Sequence, residues 1–370
     1  TVSLVLIIAT LTVYRQISFM HKQDLGFNSN QMLIIKAPLV RESEYGPTFN
    51  AFKETLLQRA DISGISHVTE VPGRQIYWDA GGILKAGGDA DQSKNYQIVG
   101  VDYEFAKLFD LEFVAGRNFL PDFPSDTNGL IFNETAVRWI GFENADSAVG
   151  QNVNYWGEIY PIIGVLKDFH QQSPKIDYEP HIYRYMPYGR GAMGAIALKI
   201  NTSDIKGLIF DLNKQYDNFF PGNSFDYFFL DEYFNQQYNS EQLFGKIFIL
   251  FSLLAIIITS LGIFGLSLYS TSQRTKEIGI RKVMGASTTN ILKMLISDSI
   301  KLIIIANLIA WPIAFYAMNR WLEGFANRTN IGIWTFVISG LIIILTTILT
   351  VSYQSYRAAS ANPVNSIQQE

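Results

Sequence analysis

Apolar residues are arranged along this chain in two ways. Toward the C-terminus they form long unbroken runs; in the middle they come in short segments broken by polar residues. No charged residue lies within 247–269, 302–318 or 329–356. A spanning helix needs about 20 apolar residues at a 1.5 Å rise. Helices are therefore predicted over about 246–271, 291–318 and 331–356. Asp298 and Lys301 interrupt the start of the middle one, spaced to pair near the interface with Lys301 reaching toward water. Pro312 predicts a kink that neighbouring helices tolerate. A fourth apolar run, 1–14, precedes Arg15. It lacks a basic segment ahead of it and a small-residue cleavage site behind it, which argues against a signal peptide. It is read as a spanning helix over 1–19, cut at its N-terminal side, in a fragment of a longer protein.

The segment 20–245 has shorter periodicities. Residues 32–39 and 62–71 are strand-like, and 49–59 places Phe49, Phe52, Leu56 and Leu57 on one helical face. The pattern returns late, with a strand at 195–200, a helix at 205–216 and a strand at 225–230. This predicts one α+β subdomain built from about 30–76 and 191–231. Strands at 96–101, 111–114 and 160–165 and a helix near 134–140 predict an inserted β-rich subdomain at about 77–190. Gly81-Gly82 and Gly87-Gly88 are expected to bound a hairpin around Ile83-Leu84-Lys85. The polar, aromatic-spaced 231–245 contains no helix breaker before Gly245, and a stalk over about 232–245 is expected to continue the second membrane helix.

Charge sharpens this division. Residues 20–245 carry 29 acidic and 18 basic side chains, and the remainder 4 and 11, within an overall charge of −4. An acidic body on a basic, apolar remainder suits an ectodomain on a membrane anchor and argues against a nucleic-acid partner. Residues 272–293 hold five basic side chains (Arg274, Lys276, Arg281, Lys282 and Lys293) and one acid, Glu277; residues 319–330 hold Arg320, Arg328 and Glu323. The positive-inside rule then puts the first loop and the tail 357–370 in the cytoplasm and the large domain outside. The fold class is an α-helical membrane protein with four spanning helices, the first truncated, and a large α+β extracytoplasmic domain of two subdomains.

Much familiar chemistry is missing. Cysteine is absent, which excludes disulfides and thiolate chemistry. There is no G-x-x-x-x-G-K-[ST] phosphate loop. Asp168, His170 and His181 form a loose metal-like group, with Asp168 and His170 on one face of a strand, but no ligand spacing supports them, and no metal or cofactor is assigned. No nucleophile–base arrangement is visible. Gly262 and Gly265, with nearby Ser252, Ala255, Thr259 and Ser260, make close helix contact available, either at a dimer seam or within the bundle.

The loop 272–290 has more structure than its charge alone requires. As a helix over 275–284 it carries an apolar stripe of Ile280, Val283 and Met284. Glu277 precedes Arg281 by four residues, the favourable direction for a pair. Gly285 is placed as a helix stop and Ser287 as the next N-cap. Such a helix would lie flat on the membrane surface or dock a cytoplasmic partner.

The run Arg274-Thr275-Lys276-Glu277-Ile278-Gly279-Ile280-Arg281-Lys282-Val283-Met284-Gly285-Ala286-Ser287 closely resembles the signature loop of MacB/FtsX-type ABC transporter permeases. Ala361-Asn362-Pro363-Val364-Asn365-Ser366-Ile367 resembles the tail of that family. Val101-Asp102-Tyr103-Glu104-Phe105, Ala115-Gly116-Arg117-Asn118-Phe119, Asn133-Glu134-Thr135-Ala136 and Val165-Leu166-Lys167-Asp168-Phe169-His170 resemble motifs of its periplasmic core domain. The similarity is strongest to the long, duplicated permeases of Bacteroidetes-like bacteria, of which this chain would be the second half. The resemblance implies a permease of the bacterial inner membrane with an FtsX-like membrane domain over 246–356. A cytoplasmic ABC ATPase dimer would dock on Arg274, Glu277, Ile280, Arg281, Lys282, Val283, Met284 and Gly285. ATPase closure would move the ectodomain, a mechanism called mechanotransmission, to export or extract a substrate. The other implied partners are a second permease half or homodimer partner, a periplasmic adaptor or outer-membrane component, and the lipid bilayer. The alternative is an FtsX-like regulatory protein that activates an outside partner and moves no substrate.

Overall fold

The computed structural model describes residues 1–41, 44–189, 194–274, 277, 280–281 and 284–359. The chain divides into two units, one formed by Thr1–Lys22 with Asn239–Glu370 and the other by Gln23–Tyr238.

The first unit is a bundle of four helices long and apolar enough to cross a membrane: Val2–Lys22, Asn239–Gln273, Thr288–Leu322 and Ile333–Ala359. The first span runs through Arg15, as expected, and ends at Lys22; the guanidinium reaches the Thr335 hydroxyl at 3.2 Å. Its side chains fill the bundle centre. Leu4 and Ile7 pack with Ile303, Ala310 and Ile343; Ile8 packs with Ala314 and Phe336; Ala9 and Val13 pack with Met318. The second span contributes little to this core: Ser252 and Thr271 are its buried residues. Pro312 lies inside the third helix, which continues across it. Lys282, Val283, the tail 360–370 and the side chain of Asp298 lie outside the described residues.

In the second unit the strands are, in chain order, β1 (Met32–Lys36), β2 (Ile62–Val68), β3 (Asp79–Lys85), β4 (Lys94–Val101), β5 (Phe113–Gly116), β6 (Leu130–Asn133), β7 (Asn152–Tyr155), β8 (Glu158–Leu166), β9 (His181–Tyr185), β10 (Ala195–Ile200) and β11 (Tyr227–Phe229). Strands from both ends of the unit form one antiparallel sheet, ordered β11-β1-β10-β2. Helices Tyr45–Leu57 and Ile205–Phe219 belong with it. Phe49, Phe52 and Leu56 from the first and Leu208, Leu212 and Tyr216 from the second form one core with Leu33, Ile35, Ile65, Ile196 and Leu198. Alternate residues of β1 thus face the helices, as the period of two requires. Asp204 caps the second helix by accepting a bond from the Gly207 amide at 3.0 Å.

The middle strands form a mixed sheet ordered β5-β8-β6-β9-β4-β3-β7, and an added β7–β8 pairing closes β8, β6, β9, β4, β3 and β7 into a barrel. The barrel core includes Ala80, Ile83, Tyr96, Ile98, Leu130, Phe132, Val153, Ile162 and Ile182, joined by Ala136 and Val137 from helix Glu134–Ile140.

Three expectations need correction. Gly81-Gly82 does not bound a hairpin around Ile83-Leu84-Lys85: it sits inside β3, where the register with β4 shifts between Ala80 and Ile83 and Gly82 takes φ 77°. A left-handed glycine at such a shift absorbs the extra residue of a bulge. Residues 231–245 are not one continuous stalk. Helix Leu230–Gln236 ends in a turn at Gln237 and Tyr238 before the second span starts at Asn239. Phe234 and Tyr238 are buried in the second unit and the Gln237 amide donates to the Gly73 carbonyl, so tertiary contacts override a sequence without a breaker. Finally, β8 stops at Leu166, so Asp168 and His170 share no strand face.

Candidate functional site

The candidate residues read from the sequence lie in the turn between the second and third spans. The second helix tightens as it ends, the Arg274 amide donating to the Ser270 and Thr271 carbonyls at 3.2 Å each. Glu277, Ile280 and Arg281 are helical. Glu277 and Arg281 form an ion pair at 2.6 Å, four residues apart, and Arg281 also donates to the Met294 sulfur. The Met284 amide donates to Ile280 at 3.0 Å, and the Ala286 amide reaches back to the Arg281 carbonyl at 2.9 Å. Gly285 takes φ 90° between them. A bond from the residue after a left-handed glycine to the carbonyl five positions back is the Schellman stop. Ser287 then caps the third span, its hydroxyl accepting from the Asn290 amide.

The stop fixes which side chains face outward. Ile280 is 56% exposed and Met284 81% exposed. Both belong to the stripe read from the sequence; its third member, Val283, is outside the described residues, as is Lys282. The pair Glu277–Arg281 is half exposed and contributes little to stability on its own. Among the described residues, the turn therefore presents two apolar side chains flanked by charge.

The loose metal-like group is taken up by the fold. Asp168 accepts from the Thr135 amide and hydroxyl at 3.0 and 2.8 Å and from Arg138 at 2.8 Å. His170 contacts the Tyr178 hydroxyl at 3.3 Å, and His181 contacts Gln97 at 3.1 Å. Burial pushes the His181 imidazole down to about 3, so it stays neutral. Among the described residues no group of three metal-ligating side chains comes together.

Of the polar residues inside the bundle, Ser252 and Thr259 were read only as small residues allowing close helix contact, and Ser3, Thr10 and Gln16 went unread. Gln16 is fully buried and holds the connection between the third and fourth spans, donating to the Asn327 carbonyl and accepting from the Thr329 amide, both at 2.8 Å. The Ser3 and Thr259 hydroxyls meet at 2.6 Å, and those of Thr10 and Ser252 at 2.8 Å. A signal existed: Ser3 and Thr10 are seven apart, as are Ser252 and Thr259. Gly262 and Gly265 behave differently, for a Cβ on either would meet nothing within 4 Å. They do not pack within this bundle.

Four membrane-length helices joined to an α+β body define a multi-pass membrane protein of the permease class. Residues 1–207, more than half of the chain, match the MacB-like periplasmic core domain, and residues 249–363 match the FtsX-like permease C-terminal domain. The chain belongs to the MacB/FtsX-type ABC transporter permeases. It is similar to the uncharacterized ABC transporter permease YknZ of Bacillus subtilis, 22% identical with 95% of this chain and 88% of that one covered. It is also similar to the macrolide export ATP-binding/permease protein MacB of Aggregatibacter actinomycetemcomitans, 24% identical over 67% of this chain and 39% of that protein. Among solved structures, the periplasmic region of MacB from Actinobacillus actinomycetemcomitans aligns with 58% of this chain and 95% of its own, at 14% identity and a TM-score of 0.39. By the match of residues 1–207 to the MacB-like periplasmic core domain, the α+β unit is the extracytoplasmic domain.

Proposed function

We propose that this permease transmits work from a separate cytoplasmic ATPase dimer to its extracytoplasmic domain, which expels or extracts a substrate without a tunnel through the membrane. The observation that carries this reading is the capped turn with Ile280 and Met284 exposed beside the Glu277–Arg281 pair. Buried apolar anchors dominate the energy of most interfaces, while rim charges mainly tune association. Ile280, Met284 and Val283 would enter a groove on the ATPase, with Arg274, Glu277, Arg281 and Lys282 at its rim and Gly285 setting the angle of departure. The MacB relative is named as an ATP-binding/permease protein, and this chain holds no phosphate loop, which supports a partner that supplies ATP hydrolysis. The basic bias of 272–293 supports placing the turn in the cytoplasm of a bacterial inner membrane. The outward Gly262 and Gly265 support a second permease half, or a second copy, against that face.

Co-purification with the ATPase and ATP-coupled function test this reading. Met284→Asp and Ile280→Asp should uncouple hydrolysis from function while the protein inserts normally, and Arg274→Ala should do less. Intact coupling in both Asp variants, with loss in Arg274→Ala, would show the contact to be electrostatic.

A further inference from the structure

Two kinds of contact hold the first span in its bundle. Against the third and fourth spans it interlocks through large side chains: Leu4, Ile7, Ile8 and Val13 sit among Ile303, Met318, Phe336 and Ile343. Moving such knobs by one helical turn means lifting each over its neighbour, and packed interiors resist that. Gln16 adds a bolt. Besides its two bonds at 2.8 Å it accepts from the Thr329 hydroxyl at 3.1 Å. Two of these three bonds go to backbone groups of one short connection, and a shifted Gln16 would find no equivalent.

The contact with the second span has fewer large side chains, Ile256 and Phe248, both only partly buried, and adds a polar part. Its polar part is a ladder of hydroxyls, Ser3 with Thr259 and Thr10 with Ser252, with Ser3 also donating to the Ala255 carbonyl at 3.2 Å. Thr10 keeps its own proton on the Leu6 carbonyl at 2.9 Å, so Ser252 can leave without stranding it. A hydroxyl is both donor and acceptor and rotates to suit. Interhelical bonds of this kind are individually weak in membranes. At the outer end a Cβ on Gly245 would lie 3.4 Å from Ile17 and 3.6 Å from Val13, a smooth close approach. The second span's Phe244 stacks flat on Trp321, with 8° between ring planes, which is also a face that slides.

We infer that the first, third and fourth spans move as one block bolted by Gln16, and that the second span shears against this block along the hydroxyl ladder. The inference rests on the reading that work enters at the turn joining the second and third spans. That turn sits between the sliding helix and the block, so a change in it converts to axial displacement between them. Small sliding of packed helices is a recognised form of switching.

The chain has no cysteine, so pairs of introduced cysteines report the motion in cell membranes without the ATPase. Disulfides demand Cβ atoms within about 4.5 Å, whereas one helical turn is a rise of roughly 5.4 Å. Thr10→Cys should cross-link to Ser252→Cys and also to Ile256→Cys or Phe248→Cys, one turn away. Ile8→Cys should cross-link to Ala314→Cys and lose cross-linking to Ala310→Cys and Met318→Cys. Adding Gln16→Leu should restore one of those last two. Cross-linking of Thr10→Cys to Ser252→Cys alone, or of Ile8→Cys to all three partners with Gln16 present, overturns the inference. An unchanged Ile8→Cys pattern in Gln16→Leu removes the bolt. Failure of ATPase docking would leave every one of these patterns as it is, so the two readings fail separately.

Discussion

The Ser66 hydroxyl donates to the Asp102 carboxylate at 2.6 Å. Ser66 lies on β2 of the four-stranded sheet and Asp102 directly follows β4 of the barrel, so this bond joins the two subdomains. The His67 amide donates to the same carboxylate at 3.0 Å, the Glu104 amide at 3.1 Å, and Lys53 stands 3.5 Å away. Beside it, the Thr69 amide donates to the Gly100 carbonyl at 2.8 Å and the Gly100 amide to the Thr69 hydroxyl at 2.8 Å.

Removing the carboxylate strands these donors in a dry site. Asp102→Ala should destabilise the protein by about 3 kcal/mol, the range for breaking a buried, hydrogen-bonded charge. Chemical denaturation of the solubilised chain checks this. Ser66→Ala, which leaves the other bonds intact, should cost about 1 kcal/mol.

Two buried histidines set a pH limit. His67 and His181 are each held down to about 3 from the ordinary 6.5, by burial first and, at His67, by Arg41 and Lys53 as well. Between those values the unfolded chain binds protons that the folded chain refuses. Stability is therefore present above pH 6.5 and is lost as pH falls toward 3. From pH 7.5 to 5 each histidine should remove about 2 kcal/mol. His67→Leu should roughly halve the part of the slope due to the pair, and unfolding curves at several pH values read this directly.

The turn at Gly285 separates strain from clash. Its backbone is left-handed, yet a Cβ there would meet nothing within 4 Å. Gly285→Val should therefore cost about 1–2 kcal/mol through backbone strain alone, loosening the start of the third span. Gly285→Asn should cost less, since asparagine tolerates this region better. ATPase co-purification and thermal melting of both variants distinguish strain from a lost contact.

Labelling checks the sidedness of the chain. Asn290 is exposed at the start of the third span and Asp89 is exposed in the α+β unit. An impermeant thiol reagent applied to intact cells should modify Asp89→Cys and spare Asn290→Cys. Modification of Asn290→Cys would reverse the orientation drawn from the basic loop.

Long apolar runs made the three later spans legible, because length at a fixed rise is a direct physical requirement. The first span was legible over 1–19 and ends three residues later, at Lys22; what the sequence hid is the partner of Arg15, since Thr335 is 320 residues away. Strand–helix–strand patterns at 32–68 and 195–229 were readable through their periods of two and 3.6. Barrel closure was not, since it rests on Asn152–Tyr155 pairing with Glu158–Pro161, segments too short to carry a period. At the candidate site the glycine stop and the Glu277–Arg281 pair are local and could be read by spacing. Gln16 reads as one polar residue near a helix end until the fold brings Asn327 and Thr329 to it.

A sheet domain delivered across a membrane folds among other unfinished chains, where an open strand edge is a template for the wrong partner. The β7–β8 pairing removes the β7 edge and covers the part of β8 that β5 leaves open. Of those that remain, β11 offers three residues and β5 four. On β2 the His67 amide is taken by the Asp102 carboxylate at 3.0 Å, and helix Phe105–Leu108 packs on the strand, with Leu108 crowding Gly64. The closed barrel therefore protects the protein while it folds: it is a defence against aggregation, built from the same strands that give the domain its shape.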